Sequence, residues 1–177
     1  MPRRAHNSIM KSFFFGDIRS NIIFPFPVMS DDIKQTVSMM NDAVYKFGKD
    51  QVDSVQWDKD AKMPREIIDA CGEMGLMGLL VAEKYDGLGL PMMGYASIFE
   101  TLGTIDGSLS TTLGAHQSIG YKALLLFGNK RQKDKYLPAL ATGKMIAAFC
   151  LTEPSSGSDA ASIKTHAKLS SDGKNYI

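Results

Sequence analysis

The chain has 177 residues, 44% of them hydrophobic and 22% charged, with 20 Lys and Arg against 19 Asp and Glu and a net charge of +1. This composition excludes a disordered chain and gives no reason to expect nucleic acid or an anionic membrane as partner. The length allows one domain with a real core, or one domain plus part of another.

Cys71 and Cys150 stand far apart in apolar surroundings, which predicts free buried thiols and no disulfide framework. His6, His116 and His166 are scattered, so no metal is expected. The longest apolar run, Met74 to Ala82, is broken by Gly75 and Gly78 and is too short to span a bilayer. The eleven methionines are expected to fill a helical core.

Residues 1–16 carry Arg3, Arg4 and Lys11 without an acid, which reads two ways: a targeting remnant, or a packing cluster around Phe13-Phe14-Phe15. Residues 17–29 are punctuated by Pro25 and Pro27 and are expected to lie extended across a surface. Ser30-Asp31-Asp32 is an N-cap signal with acidic first-turn residues. Behind it Ile33, Val37, Met40, Val44 and Phe47 recur at steps of four and three, predicting an amphipathic helix that ends near Gly48. Pro64 starts a second helix with Ile67, Ile68, Cys71 and Met74 inward, weakened by Gly72, Gly75 and Gly78.

Glu83 to Pro91 reads as a loop; its Gly87-Leu88-Gly89 is no dinucleotide fingerprint, because no strand precedes it. A third helix is expected from Gly94 to about Thr104, with Tyr95, Ile98, Phe99 and Leu102 inside. Asp106-Gly107-Ser108 breaks it and caps a fourth, about Leu109 to Phe127, rich in small residues such as Ser110, Gly114, Ala115 and Gly120. Such a face suits close helix packing or the wall of a pocket. Gly128-Asn129 ends it, and Lys130 to Leu137 forms a charged fifth helix, with a short turn restarting at Pro138 and stopping at Gly143.

After Gly143 the pattern changes. Met145 to Thr152 predicts a buried strand, although its alanines leave a helix open. Ser171-Asp172-Gly173-Lys174 predicts a hairpin turn, with another strand beginning at Asn175-Tyr176-Ile177. The expected division is an N-terminal extension at 1–29, a helical domain at 30–143 and the start of a β-domain at 144–177. So little sheet is not stable alone, which predicts a piece of a longer fold.

Between them, at Phe149 to Ser158, an apolar run meets a Glu-Pro break followed by three hydroxyls and a glycine. Loops of this kind offer backbone N–H groups to a polar ligand. The run Cys150-Leu151-Thr152-Glu153-Pro154-Ser155-Ser156-Gly157-Ser158-Asp159 resembles the signature of the flavin-dependent acyl-CoA dehydrogenases. So do Gly114 to Gly120, Gln132 to Pro138 and Glu83 to Gly89; with Phe24 to Pro27 they are similar to the very-long-chain branch and its relative linked to respiratory complex I assembly.

The resemblance implies a mainly α chain: the N-terminal helical domain of that fold, followed by the first strands of a truncated middle β-barrel domain. It implies FAD as cofactor and dehydrogenation of a long-chain acyl-CoA to the trans-2-enoyl-CoA. Electron-transferring flavoprotein would be the acceptor, in a mitochondrial dimer or tetramer with possible peripheral membrane association and no nucleic acid. Carried over by position, the backbone of Phe149, Cys150 and Leu151 faces the flavin, the Thr152 hydroxyl bonds its ring, Ser156 and Gly157 complete the cofactor loop, and Ser158 meets cofactor and CoA. Ser110 and Gly114 would line the acyl slot. Glu153 is expected to be a structural loop residue, the catalytic glutamate lying beyond Ile177, so that this piece alone is inactive.

Overall fold

The computed structural model describes residues 9–18 and 20–177. Nine α-helices occur among them: α1 (Ile9–Phe14), α2 (Ser20–Ile23), α3 (Asp31–Gln51), α4 (Ser54–Asp60), α5 (Arg65–Glu73), α6 (Met92–Ile105), α7 (Gly107–Ala115), α8 (Lys122–Phe127) and α9 (Lys130–Ala141). Arg3 and Arg4, which carry much of the targeting reading, lie outside the described residues. Phe13, Phe14 and Phe15 are exposed. The 17–29 segment is not wholly extended, since α2 forms one turn before Pro25 stops it.

α3 buries Val37, Val44 and Phe47, as its spacing predicts. It runs three residues past Gly48, because that glycine faces α6: a Cβ there would lie 2.5 Å from Ile105 Cδ1. Asn41 bridges the same pair, donating to Ser97 Oγ at 3.1 Å and accepting from Thr101 Oγ1 at 3.0 Å. α4 has no counterpart in the sequence reading. Asp53 caps it, accepting from Gln56 N at 3.0 Å, and Trp57 anchors it in the core.

Ile67, Ile68 and Cys71 of α5 join Ile98 and Leu102 of α6 and Leu109 and Leu113 of α7 in one apolar core. Each fully buried aliphatic side chain contributes about 1.5–3 kcal/mol. Met77 is wholly buried, whereas Met39, Met92, Met93 and Met145 are exposed, so the methionines only partly fill the core.

The segment between α5 and α6 folds back on itself: Leu88 N, Gly89 N and Leu90 N donate to Gly78 O, Val81 O and Leu79 O. Gly87 is required there, since a Cβ would fall 2.1 Å from Val81 O.

The fourth helical stretch is not a regular α-helix. Asp106 caps α7 by accepting from Leu109 N at 2.6 Å. Between α7 and α8, residues His116–Gly120 form a π turn, closed by Tyr121 N donating to His116 O at 2.9 Å. α9 opens on a capping box formed by Asn129 and Gln132. It does not break at Pro138 but continues to Ala141, because Leu137, Leu140 and Ala141 pack with Tyr121 and Val81 in a second core. The carbonyl of Pro138 then takes Thr142 Oγ1 at 2.8 Å, closing the helix end.

No strand forms among the described residues, which corrects the expectation of a buried strand at 145–152. A strand needs a partner, and none lies alongside this segment; Met145, Ile146, Phe149 and Leu151 are exposed. The hairpin at 171–174 is present, with Gly173 at φ +68° and Lys168 and Ile177 exchanging two backbone bonds of 2.9 Å. Its pairing is limited to the single bridge Leu169–Tyr176.

Candidate functional site

The chain leaves α9 through Gly143, whose φ of +74° turns it back along the helix, so that Met145 N donates to Ala139 O at 2.9 Å. Arg65 of α5 holds the same corner, donating to Gly143 O at 2.8 Å. Next Ala147 N donates to His116 Nδ1 at 2.9 Å. From Ala148 to Thr152 no backbone group is hydrogen-bonded among the described residues. Five residues thus present a run of unpaired backbone donors and acceptors, with Phe149, Cys150, Leu151 and Thr152 all exposed. Cys150 therefore departs from the buried thiol expected of it, while Cys71 is wholly buried and its thiol is pushed up to about 12 by that burial.

The loop that follows is internally braced. Glu153 and Ser156 exchange backbone bonds of 2.8 and 3.1 Å. Ser156 is buried, and its hydroxyl donates to Asp159 O at 2.5 Å. Its side chain is therefore used inside the loop. Thr152, Gly157 and Ser158 remain exposed. Thr152 and Gly157 are neighbours, since a Cβ on Gly157 would lie 3.8 Å from Thr152 Cγ2.

The Glu153 carboxylate ties this loop to the next segment. It accepts from Lys164 N at 2.9 Å, from Thr165 N at 2.6 Å and from the Thr165 hydroxyl. The Thr165 hydroxyl and the two amides hold its carboxyl below the ordinary value, so it is an ionised acceptor and no proton donor near neutrality.

Ser110 and Gly114 sit together on α7, half-buried. A Cβ on Gly114 would meet Phe99 Cε1 at 3.3 Å, and Phe99 stacks on Tyr95 with ring centroids 4.3 Å apart. A separate surface cleft, lined by Ser54, Trp57, Lys62, Asp106 and Thr112, shares no residue with either group. Among the described residues no three His, Cys, Asp or Glu side chains gather as metal ligands. No described helix is long and apolar enough to cross a membrane.

The sequence reading missed the polar centre beneath this site. Gln117 is fully buried; it accepts from Leu79 N at 3.1 Å and donates to Leu76 O at 2.8 Å. The Tyr121 hydroxyl lies 3.0 Å from Gln117 Oε1 and 3.2 Å from Met77 O, sharing its one proton between them. The His116 ring meets Tyr121 edge-on at 4.9 Å. Polar residues on the inner face of an apolar helix were the available signal.

The family model described as acyl-CoA dehydrogenase, N-terminal domain, matches residues 34–144. The chain belongs to the acyl-CoA dehydrogenase family. It is 43% identical over 175 residues to the mitochondrial very long-chain specific acyl-CoA dehydrogenase of Bos taurus, covering 96% of this chain and 27% of that one. Among solved structures it is similar to an acyl-CoA dehydrogenase from Bacillus anthracis complexed with FAD, at TM-score 0.76 and 37% identity, covering 94% of this chain and 28% of that one. A chain in a structure titled electron transferring flavoprotein of Acidaminococcus fermentans matches at TM-score 0.74 and 33% identity, covering 87% of this chain and 39% of that one. The chain thus spans about a quarter of the length of the curated relatives it matches. Its helices are those of the family's N-terminal helical domain.

Proposed function

We propose that this chain is the N-terminal part of an FAD-dependent acyl-CoA dehydrogenase that oxidises long- or very-long-chain acyl-CoA to the trans-2-enoyl-CoA in β-oxidation. The observation that carries this reading is the exposed, unpaired backbone of Ala148 to Thr152 leading into the Thr152–Gly157 corner, in a chain of this family. The FAD complex of the B. anthracis relative supports the cofactor. The donor set fits such a group: a flat heterocycle rich in carbonyls and N–H groups matches a bare extended backbone, one free hydroxyl and a glycine that keeps the approach open.

Bound FAD supplies the acceptor for the hydride leaving the β-carbon. The backbone of Phe149, Cys150 and Leu151 orients the ring. The Thr152 hydroxyl would hold the ring by donating to it. Ser158, exposed at the far side of the loop, reaches the cofactor and the CoA part of the substrate. Ser156 holds the loop through Asp159 O. Glu153 is committed to Lys164 and Thr165, and the α-proton base is supplied from outside these 177 residues.

The remaining elements of the reading are proposals of the same kind. Residues 30–143 form the helical domain and 144–177 open the middle domain, with 1–29 as an extension. Electrons pass to an electron-transferring flavoprotein; the whole protein is a mitochondrial dimer or tetramer at or near the inner membrane. The half-buried Ser110–Gly114 face over Phe99 forms part of the acyl slot, so Ser110→Phe or Gly114→Phe shortens the preferred acyl chain while butyryl-CoA turnover survives. An unchanged chain-length profile assigns these residues to ordinary packing.

The deciding experiment is spectral. The full-length protein purified with FAD shows flavin absorbance that bleaches on adding palmitoyl-CoA, and Thr152→Val weakens flavin binding. Absence of both flavin and bleaching removes the reading. If a variant lacking the base restored respiratory complex I in depleted cells, an assembly role would take its place.

A further inference from the structure

The segment assigned to the flavin is fixed at its start by a single turn of helix. His116 is 1% exposed and sits at the first position of the π turn. Ala147 N can only donate, so His116 Nδ1, 2.9 Å away, carries no proton. The ring proton is therefore on Nε2, which donates to Leu140 O at 3.0 Å. One neutral imidazole thereby links the end of α9 to the start of the exposed segment.

Gly120, at the other end of the same turn, makes the approach possible. A Cβ there would stand 2.8 Å from Ala147 Cβ and 3.1 Å from Ala147 O. Two separate features of one turn, an acceptor and a missing side chain, converge on Ala147. From Ala148 to Thr152 no backbone bond holds the chain among the described residues, so Ala147 sets where that stretch leaves the helices. Burial lowers the pKa of His116 against the smaller opposing effect of the Leu140 and Met77 carbonyls, which keeps the acceptor bare near neutral pH. Tyr121 is the titratable side chain against the ring, and burial pushes its pKa up, so it stays neutral as well.

We propose that His116 is a positioning residue for the flavin: by accepting from Ala147 N it sets the height of Phe149–Thr152 against the isoalloxazine ring, with Gly120 supplying the clearance. This rests on the reading that the segment faces FAD.

The test uses the full-length, FAD-loaded protein with His116→Leu, His116→Asn, His116→Gln and Gly120→Ala. Three quantities are read: hydrogen exchange at the Ala147 amide, the FAD dissociation constant and the flavin absorption spectrum. His116→Leu removes the acceptor, so Ala147 exchanges faster, FAD binds about tenfold more weakly and the flavin bands shift. His116→Asn restores all three, because its Oδ1 lies where Nδ1 lay; His116→Gln does not, since its amide reaches the Nε2 position. Gly120→Ala favours helix, so it keeps its circular dichroism even if His116→Leu fails to fold, and it gives the same losses.

Faster exchange at Ala147 with unchanged FAD affinity and spectrum overturns the positioning role and leaves the FAD assignment standing. Equal rescue by Asn and Gln overturns it too. A wild-type protein that binds no FAD removes the functional reading itself, whatever the variants do.

Discussion

Gln117 shows how a single polar side chain can organise an apolar interior. Its amide group meets Leu79 N, Leu76 O and the Tyr121 hydroxyl, so both of its ends are engaged without water. Gln117→Leu keeps roughly the same volume but strands a buried N–H and a buried carbonyl. The expected cost is about 2–4 kcal/mol, read as a lower urea midpoint with an unchanged slope. His116 makes a pH prediction at the same scale. Its ordinary value is 6.5 and burial lowers it in the folded state. Above pH 6.5 the ring is neutral both folded and unfolded, and it adds no pH dependence. Below 6.5 the unfolded chain takes the proton first, so stability falls until the folded-state value is passed. Subtracting the stability–pH curve of His116→Asn isolates this acid-side loss; a flat difference between pH 6.5 and 4.5 would refute it. Neither residue announced its role in the sequence. His116 stands as one scattered histidine, and its partners, Leu140 and Ala147, are 24 and 31 positions away.

At the level of elements, amphipathic spacing was informative wherever one face of a helix met the main core. Val37, Val44 and Phe47 in α3, Ile67, Ile68 and Cys71 in α5, and Ile98 and Leu102 in α6 are all buried as read. The reading lost α4, which has seven residues and one buried aromatic, too short for a repeat to show. It broke α9 at Pro138, because the missing N–H is visible in a sequence while the packing of Leu137 and Leu140 is not. It made a strand of Met145–Thr152 from apolar content alone. Of the candidate site, the order of Thr152, Gly157 and Ser158 was legible; the bracing of Ser156 by Asp159 was not. Close approach between helices yields a further prediction. Gly72 in α5 faces the end of α9, and a Cβ there would lie 2.4 Å from Thr142 O. In an open helix Gly→Ala would gain about 1 kcal/mol. Here the obstacle is backbone, so Gly72→Ala is expected to lose about 1–3 kcal/mol, seen as a lower thermal midpoint. A midpoint that rises would show that α9 yields.

Across the whole molecule, two apolar cores share one helical stretch. Leu109 and Leu113 of α7 belong to the larger, and Tyr121 and Leu125 to the smaller. Leu126 and Phe127, 62% and 85% exposed, point away from both. The inward positions 109, 113, 117, 121 and 125 recur every four residues. On an unbroken α-helix each such step overshoots a full turn by about 40°, so inward positions would wind about 160° around the axis from first to last. The π turn at His116–Gly120 places an extra residue in one turn and takes back much of that drift. It thus acts as a phase correction, letting one rod serve two interiors without a break. Were the same residues wound as plain α-helix, everything after the turn would be rotated by about 100°. Tyr121 would leave its core and Phe127 would be carried round with it, a change of aim rather than of content.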